Sequence, residues 1–261
     1  MNSGPDVAQN LSVAGQLLSE AAAAGAVLAL LPENFAIMGA READRLAVAE
    51  TPGAGPIQDA MAELAQRLSL WIVAGTLPLK GRVPKRIAPA SVVFDANGRQ
   101  VARYDKIHLF DVDIPEKGES YRESATFEAG REPVVIATPA GMLGLSVCYD
   151  LRFPELYRQL AARGAQLLAV PAAFTVPTGL AHWEVLLRAR AVENLCYVLA
   201  AAQWGRHANG RETYGDALIV DYWGRVLARQ PSGTGVVLAE IDTAAQTGVR
   251  EGFPALKHRV L

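Results

Sequence analysis

Two cysteines in 261 residues, Cys148 and Cys196, are too few for a disulfide scaffold and fit a reducing compartment. Basic surplus is also missing: the formal net charge is −2, which argues against a nucleic-acid partner, and no acidic tail is present. The longest strongly apolar stretch, Ala21 to Leu31, is interrupted by Gly25 and stopped by Pro32-Glu33. It is too short to span a bilayer. No basic segment precedes an apolar one near the start, so no signal peptide is expected. Histidine is scarce, and His108, His182, His207 and His258 lack metal-ligand spacing. These features lead to the expectation of a cytoplasmic protein without membrane, nucleic acid, metal or cofactor. The chain is 51% hydrophobic and 20% charged, enough apolar material for a large core.

Apolar spacing predicts a helix over Asn10 to Ala24 and a buried strand over Ala26 to Leu31. A second helix over Pro56 to Leu68 and a strand over Leu70 to Gly75 follow. Asn97-Gly98 marks a hairpin turn between Ala90–Phe94 and Gln100–Tyr104. Further strands are expected at Val134–Thr138, Met142–Val147, Leu167–Val170, Tyr197–Ala202, Ala217–Val220, Val226–Arg229 and Val236–Ile241. Helices are expected at Pro154–Arg163 and His182–Asn194. Alternating helices and strands broken by hairpins predict an α/β protein with mixed sheets. No segment reads as a linker, so one domain over residues 1–261 is expected. The stretch from Ile107 to Glu132 reads as a long polar loop, a length that is usually functional or disordered. Thr243 to Leu261 also reads as loop.

Three polar residues fall at ends of predicted strands: Glu33, Lys106 and Cys148. Each alone has an ordinary explanation, as a solvated charge or a core thiol. Together they suit one reaction. A thiol needs a base before it attacks. Attack on a carbonyl builds an oxyanion that needs donors. Glu33 supplies a base, and Lys106 a charged donor.

The segments Leu31-Pro-Glu33-Asn-Phe, Tyr104-Asp-Lys106-Ile-His-Leu-Phe110 and Cys148-Tyr-Asp-Leu-Arg-Phe-Pro-Glu155 resemble the three signatures of the nitrilase, or carbon–nitrogen hydrolase, superfamily. The resemblance runs nearly end to end, through Phe174-Thr175, Ala181–Glu193 and Tyr214-Gly-Asp216. It implies a four-layer αββα sandwich of two mixed sheets flanked by helices. It also implies Glu33 as general base, Lys106 as oxyanion stabiliser and Cys148 as nucleophile, with the Tyr149 backbone N–H completing the oxyanion hole. Glu123 matches a second glutamate of the family, with Glu119 as competitor. No metal or organic cofactor is implied.

The wording from Phe174 to Arg190 is similar to a branch of amidases that act on deaminated glutathione, and the resemblance implies hydrolysis of a terminal carboxamide of this small α-keto acid compound to a carboxylate and ammonia through a Cys thioester. Omega-amidases for α-ketoglutaramate, or another small aliphatic amidase, are the neighbouring alternative; a non-catalytic binding protein of the same fold is another. Such substrates carry carboxylates, and Arg152 is the natural cation for them, unless it pairs with Asp150 or Glu155. Phe174 and Thr178 are implied to line the same pocket, and His182 to lie near it. The resemblance further implies a homodimer, with Leu156, Tyr157, Val185 and Leu186 as candidate contacts. One departure stands out: family members open with an apolar strand that would end near Met1. Without it, one sheet is expected to carry a gap or a free edge.

Overall fold

The computed structural model describes residues 1–41, 43–114 and 119–260. Helix α1 (Val7–Ala23) starts where the Asp6 carboxylate accepts from Gln9 N at 3.0 Å. Strand β1 (Leu28–Leu30), a short helix α2 (Asp44–Ala47) and helix α3 (Pro56–Leu68) come next. Strands β2 (Trp71–Lys80), β3 (Ile87–Phe94) and β4 (Gln100–Asp105) complete a first sheet in the order β1-β2-β3-β4. Asn97-Gly98 turns β3 into β4 as expected, with Gly98 at φ +77°.

The second half supplies β7 (Val135–Thr138), β8 (Gly141–Leu145), α4 (Pro154–Ala162), β9 (Leu167–Ala172), α5 (Val176–Asn194) and β10 (Tyr197–Ala202). Strands β13 (Ala217–Val220) and β14 (Val226–Gln230) finish a six-stranded sheet in the order β14-β13-β10-β9-β8-β7. Alternation along the strands builds the layers. In β2, Ile72 and Ala74 pack with Leu18 of α1 and Met61 of α3, while Val73 faces the second sheet. On the far side Leu156, Leu160, Leu187 and Ala191 of α4 and α5 cover the second sheet. The arrangement is therefore helix, sheet, sheet, helix, the expected α/β sandwich of mixed sheets.

Several expectations need correction. The stretch from Ile107 to Glu132 is not all loop. It contains a hairpin of β5 (Asp111–Ile114) and β6 (Glu119–Arg122), two strands of four residues each, too short to stand out in a polar stretch. A second unexpected hairpin joins β11 (Trp204–Arg206) to β12 (Glu212–Tyr214). Thr243 begins a helix, α6 (Thr243–Gly252), capped by the Asp242 side chain. Helix α5 starts at Val176 rather than near His182, with Pro177 in its first turn.

Val236–Ile241 is not a strand. The reason lies beside β1. Leu31 N donates to Val73 O, and Trp71 N to Val27 O, so the odd-numbered residues here pair with β2. The backbone groups of Leu28 and Leu30 point the other way, to a free edge. That edge borders an apolar cavity of about 380 Å³, walled opposite by Gly235–Ile241 and at one end by Met1. Across this gap Val236–Ile241 has no ladder partner among the described residues, so it joins neither sheet.

Candidate active site

Glu33 follows β1 and Pro32 at a turn that β2 holds from above. Gly75 has φ +25°, and a Cβ there would fall on the Pro32 carbonyl, so only glycine lets the two backbones approach. Asn34, at φ +57°, donates its N–H to Thr76 Oγ1 at 2.8 Å. The buried Gln203 donates Nε2 to Glu33 O at 3.1 Å, tying the turn to the second sheet.

Lys106 follows β4. Its N–H donates to Pro89 O at 3.1 Å, and its carbonyl accepts from Gly130 N at 2.8 Å. Both backbone groups are fixed, and the side chain is 1% exposed. Its Nζ reaches Glu33 Oε1 at 3.0 Å and Glu123 at 2.9 and 3.2 Å. Glu123 is held in turn by Phe110 N, which donates to Oε2 at 2.8 Å. The second carboxylate beside Lys106 is thus Glu123. The side chain of Glu119 lies outside the described residues.

Cys148 sits past the end of β8 with φ +48°, in the left-handed region that costs a non-glycine residue energy. A 3-10 turn over Cys148–Arg152 follows directly. What holds this bend is the fully buried Asp150. Its carboxylate accepts from Val147 N at 2.8 Å, His108 N at 3.0 Å and Tyr104 Oη at 2.7 Å. His108 Nδ1 lies 2.7 Å away, and its ring stacks on Phe153. Asp150 therefore bolts the cysteine turn onto the segment that carries Lys106. Sequence reasoning met Asp150 only as a partner for Arg152. That pairing is not formed: Arg152 Nη1 instead lies 3.2 Å from His182 Nδ1.

Glu33, Lys106, Glu123 and Cys148 share one cleft with Tyr149, Arg152, Phe174 and Thr178. The structure thus brings these eight residues, named from the sequence, into one cleft, while His182 stays outside it and pairs with Arg152. It also adds Arg211, which composition and spacing did not mark. The cleft is narrow, with about 10 Å³ open to the centre of a water molecule. No cluster of three His, Cys, Asp or Glu that could hold a metal exists among the described residues.

Charge decides the resting state. Burial pushes the Cys148 thiol well above its ordinary value, and the Glu33 charge adds to this; the Lys106 ammonium opposes both without overcoming them. Burial alone would raise Glu33, yet the Lys106 charge and hydrogen bonds from Cys148 and Lys106 hold it below the usual carboxylate value. For Lys106, burial favours the neutral amine, but Glu123 and Glu33 outweigh it and raise the ammonium's pKa. At neutral pH the site holds a thiol hydrogen-bonded to a carboxylate beside an ammonium. Such a set can pass a proton as the sulfur attacks.

The carbon–nitrogen hydrolase family model matches residues 1–251. The chain belongs to the carbon–nitrogen hydrolase family. It is 44% identical to the deaminated glutathione amidase of Yersinia enterocolitica, over 98% of this chain and 89% of that protein. The crystal structure of the Caenorhabditis elegans NitFhit protein superposes with a TM-score of 0.93 at 39% identity. All of this chain is covered there, and 63% of that longer chain. The amidase from Nesterenkonia sp. AN1 superposes with a TM-score of 0.79 at 27% identity, over 97% of this chain and 95% of that one. That structure, a glutamate-to-glutamine mutant, shows acrylamide added to the active-site cysteine. The protein is accordingly an amidase of this family. No helix among the described residues is long and apolar enough to cross a membrane.

Proposed function

We propose that the protein hydrolyses the amide of deaminated glutathione, using Cys148 as nucleophile, Glu33 as general base and Lys106 as oxyanion donor. The observation that carries this reading is the buried contact set in which Lys106 Nζ touches both Glu33 and Glu123 beside the Cys148 thiol. The relatives named for this substrate supply its identity.

Sulfur attacks the amide carbon as its proton moves to Glu33. Because the thiol is raised and the carboxylate lowered, proton transfer before attack is uphill, so the two events are coupled. The carbonyl oxygen, now anionic, rests on Lys106 Nζ and on the N–H of Tyr149, an early N–H of the 3-10 turn without a partner inside that turn. Collapse breaks the C–N bond, and Glu33 returns its proton to the nitrogen. A primary carboxamide loses ammonia, but the expectation of ammonia from deaminated glutathione needs correction: its amide nitrogen belongs to cysteinylglycine, so that dipeptide leaves. Glu33 then takes a proton from water as the water oxygen attacks the thioester; collapse breaks the C–S bond, Glu33 passes that proton to the departing sulfur, and the product acid ionises to the carboxylate. Glu123 positions the Lys106 ammonium between the two carboxylates.

One catalytic domain covers the chain in this reading. The test is product release from deaminated glutathione, α-ketoglutaramate and a simple aliphatic amide. A kcat/KM at least about tenfold higher for deaminated glutathione supports the assignment. Preference for α-ketoglutaramate moves it to the omega-amidases, and turnover of the aliphatic amide alone removes the keto acid from the reading.

We also infer a homodimer, in which the exposed face of α5 is covered. Leu156 and Tyr157, expected at the contact, are instead buried in the core against the second sheet. Val185 is 62% exposed and Val192 50%, two turns apart on one helix face. Arg188 between them donates to Gly224 O at 2.8 Å, and the adjoining Trp223 packs edge-on against Phe253. Val185, Val192, Trp223 and Phe253 are each at least half exposed, and a second copy seated here would remove their apolar surface from water. Light scattering should find a dimer that the double variant Val185→Glu, Val192→Glu converts to monomer. A monomeric parent protein would sink the dimer; a variant that stays dimeric would exclude this face.

A further inference from the structure

We propose that Arg190 is a positioning residue for the reaction: its guanidinium fixes the carbonyl of Leu151 and so holds the bend that presents the Cys148 sulfur and the Tyr149 N–H to the amide. This rests on the thioester reading above, in which that N–H receives the oxyanion, and it gives a part in the chemistry to a residue outside the cleft.

Arg190 lies on α5 and is buried. Its Nε and Nη2 both donate to Leu151 O, at 3.0 and 2.8 Å, and its Nη1 donates to Glu193 Oε1 at 2.9 Å. Leu151 belongs to the 3-10 turn that carries Cys148. A carbonyl near the end of such a turn needs a donor from outside it. Here the backbone offers none at the 3-10 spacing. The chain becomes extended at Phe153, with φ −110° and ψ 90°, and residue 154 is proline, which has no N–H. Arg190 supplies two donors instead. Its planar group also lies over the Tyr157 ring, 5.4 Å from the centroid. Ser146 Oγ donates to Ala169 O at 2.7 Å, so it accepts from Tyr157 Oη at 2.8 Å. One side chain therefore touches both the turn that follows the nucleophile and the tyrosine that secures the chain just before it.

The turn is thus held from two sides by buried groups of opposite charge. Asp150 accepts from Val147 N, immediately before Cys148, and Arg190 grips the carbonyl of Leu151 beyond it. Between these grips Cys148 keeps φ +48°, a conformation that persists only where its surroundings impose it. Release of Leu151 O lets the turn relax, and the sulfur and the Tyr149 N–H are the groups that move. An oxyanion donor acts at about 2.7–3.1 Å from the oxygen, and a misplacement of about 1 Å costs on the order of 10²-fold in rate. Glu33, Lys106, Phe174 and Thr178 stand on other segments and still receive the substrate. The expected defect therefore falls more on the transition state than on binding.

The test compares Arg190→Met and Arg190→Lys with the parent in turnover of deaminated glutathione, α-ketoglutaramate and propionamide, with rates expressed per folded protein. In Arg190→Met kcat falls at least about 30-fold, and by more than KM rises. Arg190→Lys keeps the charge, donates from a single point and falls between; it also serves if the methionine variant does not fold. Propionaldehyde gives a second readout. The Cys148 sulfur bonds to the aldehyde carbon, the C=O π pair moves to oxygen, and the thiol proton follows through Glu33. The resulting thiohemiacetal places its oxygen where the oxyanion would lie. The propionaldehyde concentration that halves iodoacetamide labelling of Cys148 rises at least about tenfold in Arg190→Met and less in Arg190→Lys. Unchanged kcat and unchanged protection in folded variants, with only the melting temperature lowered, would make Arg190 a purely structural residue and overturn the proposal. A parent protein that hydrolyses none of the amides removes the substrate reading, and aldehyde protection then decides Arg190 by itself. Weaker protection in the variants sustains the proposal; equal protection, or none in the parent, overturns it.

Discussion

Cys148→Ala is expected to lose amide hydrolysis by roughly 10⁴-fold or more, since a nucleophile acting in a coupled set has no substitute. Stability should change little. Cys148 is 7% exposed at the edge of the core, and alanine tolerates φ +48° no worse than cysteine. A melting shift of about 2–4 °C corresponds to the loss of one small contact in a protein of this size. Thiol labelling gives the complementary readout. Cys148 faces the cleft beside a carboxylate base, whereas Cys196 is fully buried and pushed up to about 12 by burial, with Arg250 only partly offsetting it. One equivalent of iodoacetamide should enter the native parent protein, at Cys148, and none the variant. Retained turnover in Cys148→Ala would remove the thioester route. A folded parent protein that neither labels at Cys148 nor turns over any amide would be a binding protein of the same fold.

Lys106→Met should cost both activity and stability. Methionine fills the volume of the lysine stem but removes the charge that Glu33 and Glu123 share. Breaking a buried ion pair from one side typically costs about 3–5 kcal/mol, because the partner stays buried without compensation. Loss of an oxyanion donor costs a further 10²–10³-fold or so in kcat. The acid limb of the pH profile separates these effects. In the parent protein Glu33 is held below 4.5, so its contribution to stability is present above its unfolded value and lost as pH falls through the folded value. Activity should therefore persist down to pH values below 4.5. Lys106 is raised above 10.5; its contribution is complete below 10.5 and disappears only as pH climbs through the higher folded value. Without the ammonium, burial dominates Glu33, and the acid limb of kcat/KM should move upward. An unmoved limb, with the denaturant midpoint also unchanged, would mean that Lys106 does not control the charge of Glu33.

Much of this site is legible in short segments. Glu33, Lys106 and Cys148 each follow a run of strand residues, and a strand end places a side chain by local backbone geometry alone. Their neighbours Tyr149 and Arg152 come with Cys148 in the same turn. Local pattern also located the first half of β2, β9, β10 and the Asn97-Gly98 turn, because continuous apolar runs and turn chemistry are written within a few residues.

Other features depend on what the chain meets elsewhere. The role of Asp150 became visible only where β4 brings Tyr104 and His108 against the cysteine turn. Arg211 reads as an ordinary turn cation until Ala173 and Tyr121 converge on it. Leu156 and Val185 are both apolar residues on helices, and only packing sends one to the core and leaves the other exposed. Val236–Ile241 has the composition of a strand but no strand edge within reach across the cavity beside β1. Sequence by itself therefore determined most strands of the two large sheets, the helices that flank them and the identity of the reacting groups, since these rest on short-range pattern and residue chemistry. Tertiary structure alone decided the charge state of those groups, the second guanidinium in the cleft and which apolar residues stay exposed, because burial and through-space charge arise only when distant segments are packed together.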